Sequence, residues 1–183
     1  MAVDDGAFRR TARTAPIAAV VVVLPEQVAS VRLGRVTVDG RDATERAIAL
    51  VRATGPVAGL RALLVDGAVV GGFNVLDLDR LRAGLGLPVI AVTRRRPDWA
   101  RIRAALRRWF PRDGERRWRR LRRHALFSVP TGGAPIFASA VGCRRADAIA
   151  LVRRSAVRGF WPEPLRLAHL IASAGAAPGR AKD

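Results

Sequence analysis

Residues 60–67 read Leu60-Arg61-Ala62-Leu63-Leu64-Val65-Asp66-Gly67. A short, largely apolar run that stops on Asp-Gly has the signature of a central parallel strand covered on both faces. Parallel strands need crossover connections, and the flanking sequence supplies them. Upstream, Ala47, Ile48, Leu50 and Val51 recur at helical spacing behind Asp42 and Glu45. Asp42 is therefore read as a helix N-cap, with Glu45 completing a capping-box pattern. Downstream, Gly71-Gly72-Phe73-Asn74 leads into a helix predicted over residues 75–83, and residues 88–93 form a second buried strand.

Working outward, residues 17–24 and 28–38 are β-rich runs separated by Pro25-Glu26-Gln27, an antiparallel hairpin. Residues 97–109 and 114–123 read as arginine-rich helices, 135–141 as a strand and 146–157 as a helix. A closing helix over 162–174 has Pro162 at its start and Gly175 after it. The order of elements predicts an α/β fold with a mixed sheet and crossover helices. A length of 183 residues suits a single domain, here 1–175, with a frayed tail over 176–183.

Half the residues are hydrophobic, enough for a true core, yet 33 basic residues face 15 acidic ones for a net charge of +18. The window from Arg94 to Arg123 holds 14 arginines against Asp98, Asp113 and Glu115. Such a stripe suits a polyanion, because each neutralised phosphate releases counterions; a solvated helix face or an acidic protein partner would show the same pattern. The single Cys143 excludes a disulfide framework, a disulfide-linked partner and a CxxC zinc site. Two histidines, His124 and His169, cannot build a histidine metal centre, and His169 reads as a packed or exposed helix residue. The apolar run at 17–24 is far short of the roughly 20 residues that cross a bilayer. A cytoplasmic protein without membrane attachment is expected.

In so basic a chain the acids stand out. Asp4 and Asp5 lie near the start, Asp39 ends the second hairpin strand with Asp42 three residues on, and Asp66 ends the central strand. If those strands are neighbours, their carboxylates gather at one sheet edge and repel, raising each other's pKa. Mg²⁺ or Mn²⁺ would relieve the repulsion and could activate water for phosphodiester cleavage. Asp39-Gly40 and Asp66-Gly67 are equally ordinary turn dipeptides, and Asp42 serves as a cap whatever else it does.

Six strings occur in order: Val3-Asp4-Asp5-Gly6, residues 37–45 around Asp39-Gly40-Arg41-Asp42, Leu64-Val65-Asp66-Gly67, Gly71-Gly72-Phe73-Asn74, residues 86–94 ending in Arg94, and residues 162–169 opening Pro162-Glu163-Pro164. Together they resemble the endonuclease dU family, a mainly archaeal group related to endonuclease V. The resemblance implies a ribonuclease H-like fold, Mg²⁺ or Mn²⁺ dependence, and cleavage of DNA at deoxyuridine. It places metal ligands at Asp4, Asp39 (with Asp42 competing) and Asp66, and a phosphate-contacting cation at Arg94. Only Met1-Ala2-Val3 precede Asp4, so a shortened first strand and a loosened Asp4 carboxylate are expected. The chain has no Tyr, the residue that endonuclease V uses as a wedge.

The leading expectation is a metal-dependent endonuclease acting on deaminated DNA, with RNA as a possible substrate. Asp4, Asp39 or Asp42, and Asp66 activate water, Arg94 neutralises phosphate charge, and Arg95, Arg96, Arg107 and Arg108 follow the backbone. Gly71, Gly72, Phe73 and Asn74 form the pocket for an extruded base, with Asn74 reading its edge; in the simpler alternative the glycines form a turn and Asn74 caps a helix. Two other functions fit the same residues: a nucleic-acid binder without catalysis, disabled by its short first strand, and an inosine-directed ribonuclease.

Overall fold

A computed structural model describes residues 1–25 and 27–175, so the tail expected over 176–183 lies outside the described residues. The strands are β1 (Ala2–Asp5), β2 (Thr14–Val23), β3 (Gln27–Thr37), β4 (Leu63–Asp66), β5 (Val69–Val70), β6 (Asn74–Val75), β7 (Val89–Thr93), β8 (Phe127–Val129) and β9 (Ile136–Val141). The helices are α1 (Ala43–Ala53), α2 (Leu78–Leu85), α3 (Trp99–Trp109), α4 (Gly114–Leu121), α5 (Arg145–Ser155) and α6 (Glu163–Ala174). Seven strands form one mixed sheet in the order β3-β2-β1-β4-β7-β9-β8, with β1, β4 and β7 parallel. No helix among the described residues is long and apolar enough to cross a membrane.

Alternation along the strands builds two cores. Val3, Ile17, Ala19, Leu63 and Val65 face α1 and α2, while Ala2, Ala18, Val20, Leu64 and Ile90 face α5 and α6. Each fully buried Ile or Leu contributes about 1.5–3 kcal/mol of apolar transfer, so the sheet is held from both sides. The first strand is short, four residues, but paired on both sides: Ala2 to Asp5 pair with Val20 to Ile17 of β2, and Ala2 and Val3 pair with Leu64 and Val65 of β4. Pairing on both sides lets a four-residue strand form, and it fixes Asp4 rather than loosening it.

The helix predicted over 75–83 starts later. Asn74 and Val75 pair with Val70 and Val69 as a small ribbon, and Asp77 caps α2 by accepting the Arg80 N–H at 3.1 Å. The capping-box reading of α1 also changes. Asp42 does occupy the N-cap position, but its side chain makes no cap bond, and Glu45 pairs with Arg80 at 2.5 Å.

Gly6 brings the end of β1 against α6, because a Cβ there would run into the Ala172 and Ser173 backbone. Gly6→Val is expected to cost about 1–3 kcal/mol in urea unfolding, the usual penalty of overpacking. Unchanged stability would show that the two elements do not meet this closely.

Candidate metal and nucleic-acid site

The register Val3↔Val65 puts Asp4 beside Asp66 at the carboxyl ends of adjacent parallel strands, about 4.8 Å apart in the pairing direction. Both follow the alternation of Ala2 and Leu64 and so point to the α6 side. There His169 Nδ1 stands 3.2 Å from Asp4 Oδ2 and donates to the Asp5 carbonyl at 2.9 Å. Asp5 turns the other way, and its Oδ2 accepts the Gly71 N–H at 2.5 Å.

The electrostatics follow from this crowding. Asp4 is only 2% exposed. Burial first, then the charges of Asp66 and Asp5, push its carboxyl up to about 9. Burial also raises Asp66 to about 6, although Arg94 pulls it back down. Burial raises Asp5 as well, against the opposing Gly71 N–H and the charge of His169. One Asp4 oxygen accepts the Asp5 N–H at 2.8 Å, while Oδ2 is buried with no hydrogen bond.

An orphaned carboxylate oxygen between acids of raised pKa suits a hard divalent cation. Among the described residues, no three His, Cys, Asp or Glu side chains form a ready cluster for one. Asp4 and Asp66 nevertheless fit, because Mg²⁺ commonly sits on one or two carboxylates and completes its shell with water and substrate phosphate.

The other two candidate acids belong to a neighbouring turn. Asp39 adopts φ 55°, its N–H donates to the Gly71 carbonyl at 2.8 Å, and its Oδ1 accepts the Phe73 N–H at 2.7 Å. Gly72 lies against this carboxylate with φ 85°, where a Cβ would collide with Asp39 Oδ1. Asp42 is committed elsewhere: it accepts the Thr37 N–H and Oγ1–H and the Asn74 Nδ2–H at 2.7 Å. The Asn74 and Thr37 donors hold its carboxyl below the usual range despite the opposing effect of burial, the largest single influence.

Asn74 itself is fully buried. Its amide nitrogen donates to the Thr37 carbonyl and to Asp42, and its oxygen accepts the Ala43 N–H at 3.1 Å. It caps α1 from across the chain, and its amide hydrogens are spent inside the fold rather than directed at a base.

Arg94 leaves β7 with its guanidinium 4.4 Å from the centre of the Trp161 ring. A cavity of about 350 Å³ opens beside Gly67, lined by Phe73, Arg95, Arg96, Trp99 and Ile102 among others. Of the four residues 71–74, only Phe73 lines it. Arg107 and Arg108 are exposed on the last turn of α3. Several other arginines of the stripe are held by acids: Arg103 by Glu115, Arg117 by Asp113, Arg120 by Asp77 and Arg123 by Asp79.

Sequence reading took His169 only as a packed or exposed helix residue, did not name Arg117, and gave Asp5 no role. His169 lay within one of the recurring strings, and that was the available signal. The Pro162-Glu163-Pro164-Leu165-Arg166 segment starts α6, where Glu163 is 2% exposed and paired with Arg166. That start presents Trp161 to Arg94 and His169 to Asp4.

Two measurements check this geometry. Raised carboxyl pKa values mean that the folded metal-free protein binds more protons than the unfolded chain. Stability should therefore fall as pH rises from about 4 towards 9, by at most about 1.4 kcal/mol per pH unit per carboxyl. Asp4→Asn should flatten this slope in urea titrations, and a slope like wild type would remove Asp4 as its source. Asn74→Ala should cost about 1–3 kcal/mol by orphaning buried partners, again read in urea, and a cost near zero would contradict the capping role.

Comparison with known proteins places this geometry. The fold matches a protein of unknown function from Archaeoglobus fulgidus with a TM-score of 0.84 at 28% identity, covering 94% of this chain and 95% of that one. It also matches Ciona intestinalis endonuclease V, solved with a 24mer DNA containing an inosine followed by a ribo-adenosine, with a TM-score of 0.63 at 15% identity over 95% and 83% of the two chains. The catalytic domain of human endonuclease V gives a TM-score of 0.59 at 18% identity over 95% and 80%. The fold is thus the α/β arrangement of endonuclease V, as expected. In sequence, a UPF0215 protein of Thermococcus gammatolerans is 40% identical over 176 residues, 93% of this chain and 88% of the relative. One from Methanothermobacter thermautotrophicus is 43% identical over 138 residues, 75% and 67% of the two. A family model described as endonuclease dU matches residues 1–175, and the chain belongs to the endonuclease dU family.

Proposed function

We propose that the protein is a divalent-metal-dependent endonuclease that cleaves DNA at deaminated bases, deoxyuridine foremost. The observation that carries the reading is the buried Asp4, its Oδ2 without a hydrogen bond, beside Asp66, whose chain neighbour Gly67 lines a cavity of about 350 Å³. Family membership and the endonuclease V fold support a nuclease of this type.

In this reading Asp4 and Asp66 hold Mg²⁺ or Mn²⁺, with Asp39 on the adjoining turn as a third carboxylate. The cation supplies a more acidic bound water and shields charge on the phosphate. Hydrolysis joins a water oxygen to phosphorus and breaks one P–O bond; the attacking water gives up a proton and the leaving sugar oxygen takes one up. His169, exposed and 3.2 Å from Asp4, can carry a proton between the site and solvent. Arg94 neutralises charge that builds on the phosphate. Arg95 and Arg96 line the cavity, and with Arg107 and Arg108 they follow the nucleic-acid backbone. The extruded base enters the cavity between Phe73 and Trp99. Gly71 and Gly72 shape the turn behind it, and Asn74 braces that turn. The reading places the protein in the cytoplasm, where it would meet DNA.

The test incubates purified protein with uracil-containing, hypoxanthine-containing and undamaged DNA and RNA, each with Mg²⁺, Mn²⁺ or EDTA. Cleavage of uracil DNA that EDTA abolishes, and that Asp66→Asn reduces by 100-fold or more, is expected. Salt-sensitive binding without cleavage would point instead to a non-catalytic binder, and preferential cleavage at inosine in RNA would move the substrate.

A further inference from the structure

Arg117 is the one buried arginine among the described residues, 8% exposed on α4. Four of its five N–H donors are engaged. Nη1 donates to the Gly40 carbonyl at 2.9 Å and the Phe73 carbonyl at 2.5 Å, and Nη2 donates to the Asp39 carbonyl at 3.0 Å. Nε donates to Asp113 at 3.1 Å, and the plane lies 4.3 Å from the Phe110 ring centre. Asp113 also takes Arg41 Nε at 2.8 Å. The Phe110 ring in turn meets Phe73 edge-on at 5.8 Å.

The three carbonyls come from two turns far apart in sequence, 39–40 and 73. Those turns are otherwise joined by single hydrogen bonds from Asp39 N–H to the Gly71 carbonyl and from Phe73 N–H to Asp39 Oδ1. Gly71 N–H then reaches Asp5, next to Asp4. An ion pair would need only Asp113; a fork that also spans three carbonyls fixes where two backbones stand. Lys cannot replace it, because one ammonium lacks the planar five-donor geometry.

We infer that Arg117 is a positioning residue: it sets the Asp39 carboxylate and the Phe73 ring against the Asp4–Asp66 pair from a helix of the basic surface. The inference rests on the nuclease reading for its consequence in catalysis, but its geometric content is independent of it.

The test compares wild type, Arg117→Lys and Asp113→Asn, each checked for folding by circular dichroism, in two assays. Titration with Mn²⁺ alone by calorimetry should show at least a fivefold weaker Kd in Arg117→Lys and a smaller loss in Asp113→Asn. On uracil DNA, kcat should fall at least tenfold in Arg117→Lys while the DNA Kd stays within twofold. A folded Arg117→Lys protein with Mn²⁺ Kd and kcat both within twofold of wild type overturns the assignment. If Arg117→Lys does not fold, Asp113→Asn decides, and wild-type Mn²⁺ affinity there overturns it. Wild type that binds Mn²⁺ but cleaves none of the nucleic acids defeats the nuclease reading, while the Mn²⁺ comparison still scores Arg117.

Discussion

Two acids at the same level of adjacent parallel strands cannot move apart, because the backbone ladder holds them about 4.8 Å from one another. Asp4 and Asp66 are held this way, and burial, nearly complete for Asp4 and partial for Asp66, removes much of the water that would otherwise separate their charges. Without a metal they keep protons: burial first, then the charges of Asp66 and Asp5, raises Asp4 to about 9, and burial raises Asp66 to about 6. A divalent cation settles it another way, by displacing those protons. The sheet thus stores an electrostatic demand that only a proton or a cation can meet.

Much of the surrounding structure serves to keep that demand in place. Gly6 admits α6 close to β1, which sets His169 over Asp4. The buried Glu163, paired with Arg166, anchors the start of the same helix, and Trp161 just before it receives Arg94. On the other side, Asp42 and Asn74 knot the end of β3 to α1 and β6, so that the 39–40 turn and the 71–73 turn meet at fixed positions. The knot takes two residues that look functional in sequence and uses them as scaffold.

How much the sequence disclosed depended on the kind of interaction. The hairpin, the central strand and β7 were legible because burial leaves a continuous or alternating apolar pattern, and Asp66-Gly67 and Arg94 followed from the strand ends. β1 was harder to read, since a four-residue strand shows no period of its own and is held by partners on both sides. The start of α2 was misplaced because Asn74 is drawn into a long-range cap of α1, a contact that local spacing does not encode. Of residues 71–74, expected to form a base pocket, only Phe73 lines the cavity beside Gly67, which also draws Trp99 and Ile102 from α3. Asp39 and Asp42 could not be separated by spacing. Hydrogen bonds separate them: Asp42 is committed to Thr37 and Asn74, and Asp39 stays exposed on the turn beside Gly71.

The central claim is that Asp4 and Asp66 share an electrostatic strain relieved by a divalent cation. Calorimetry of Mn²⁺ binding at pH 7 in buffers of different ionisation heat reads it directly, because it counts protons released per ion bound. The account predicts saturable binding with net release of about one proton, lost in Asp4→Asn. Binding without proton release, or binding that Asp4→Asn leaves unchanged, would contradict it.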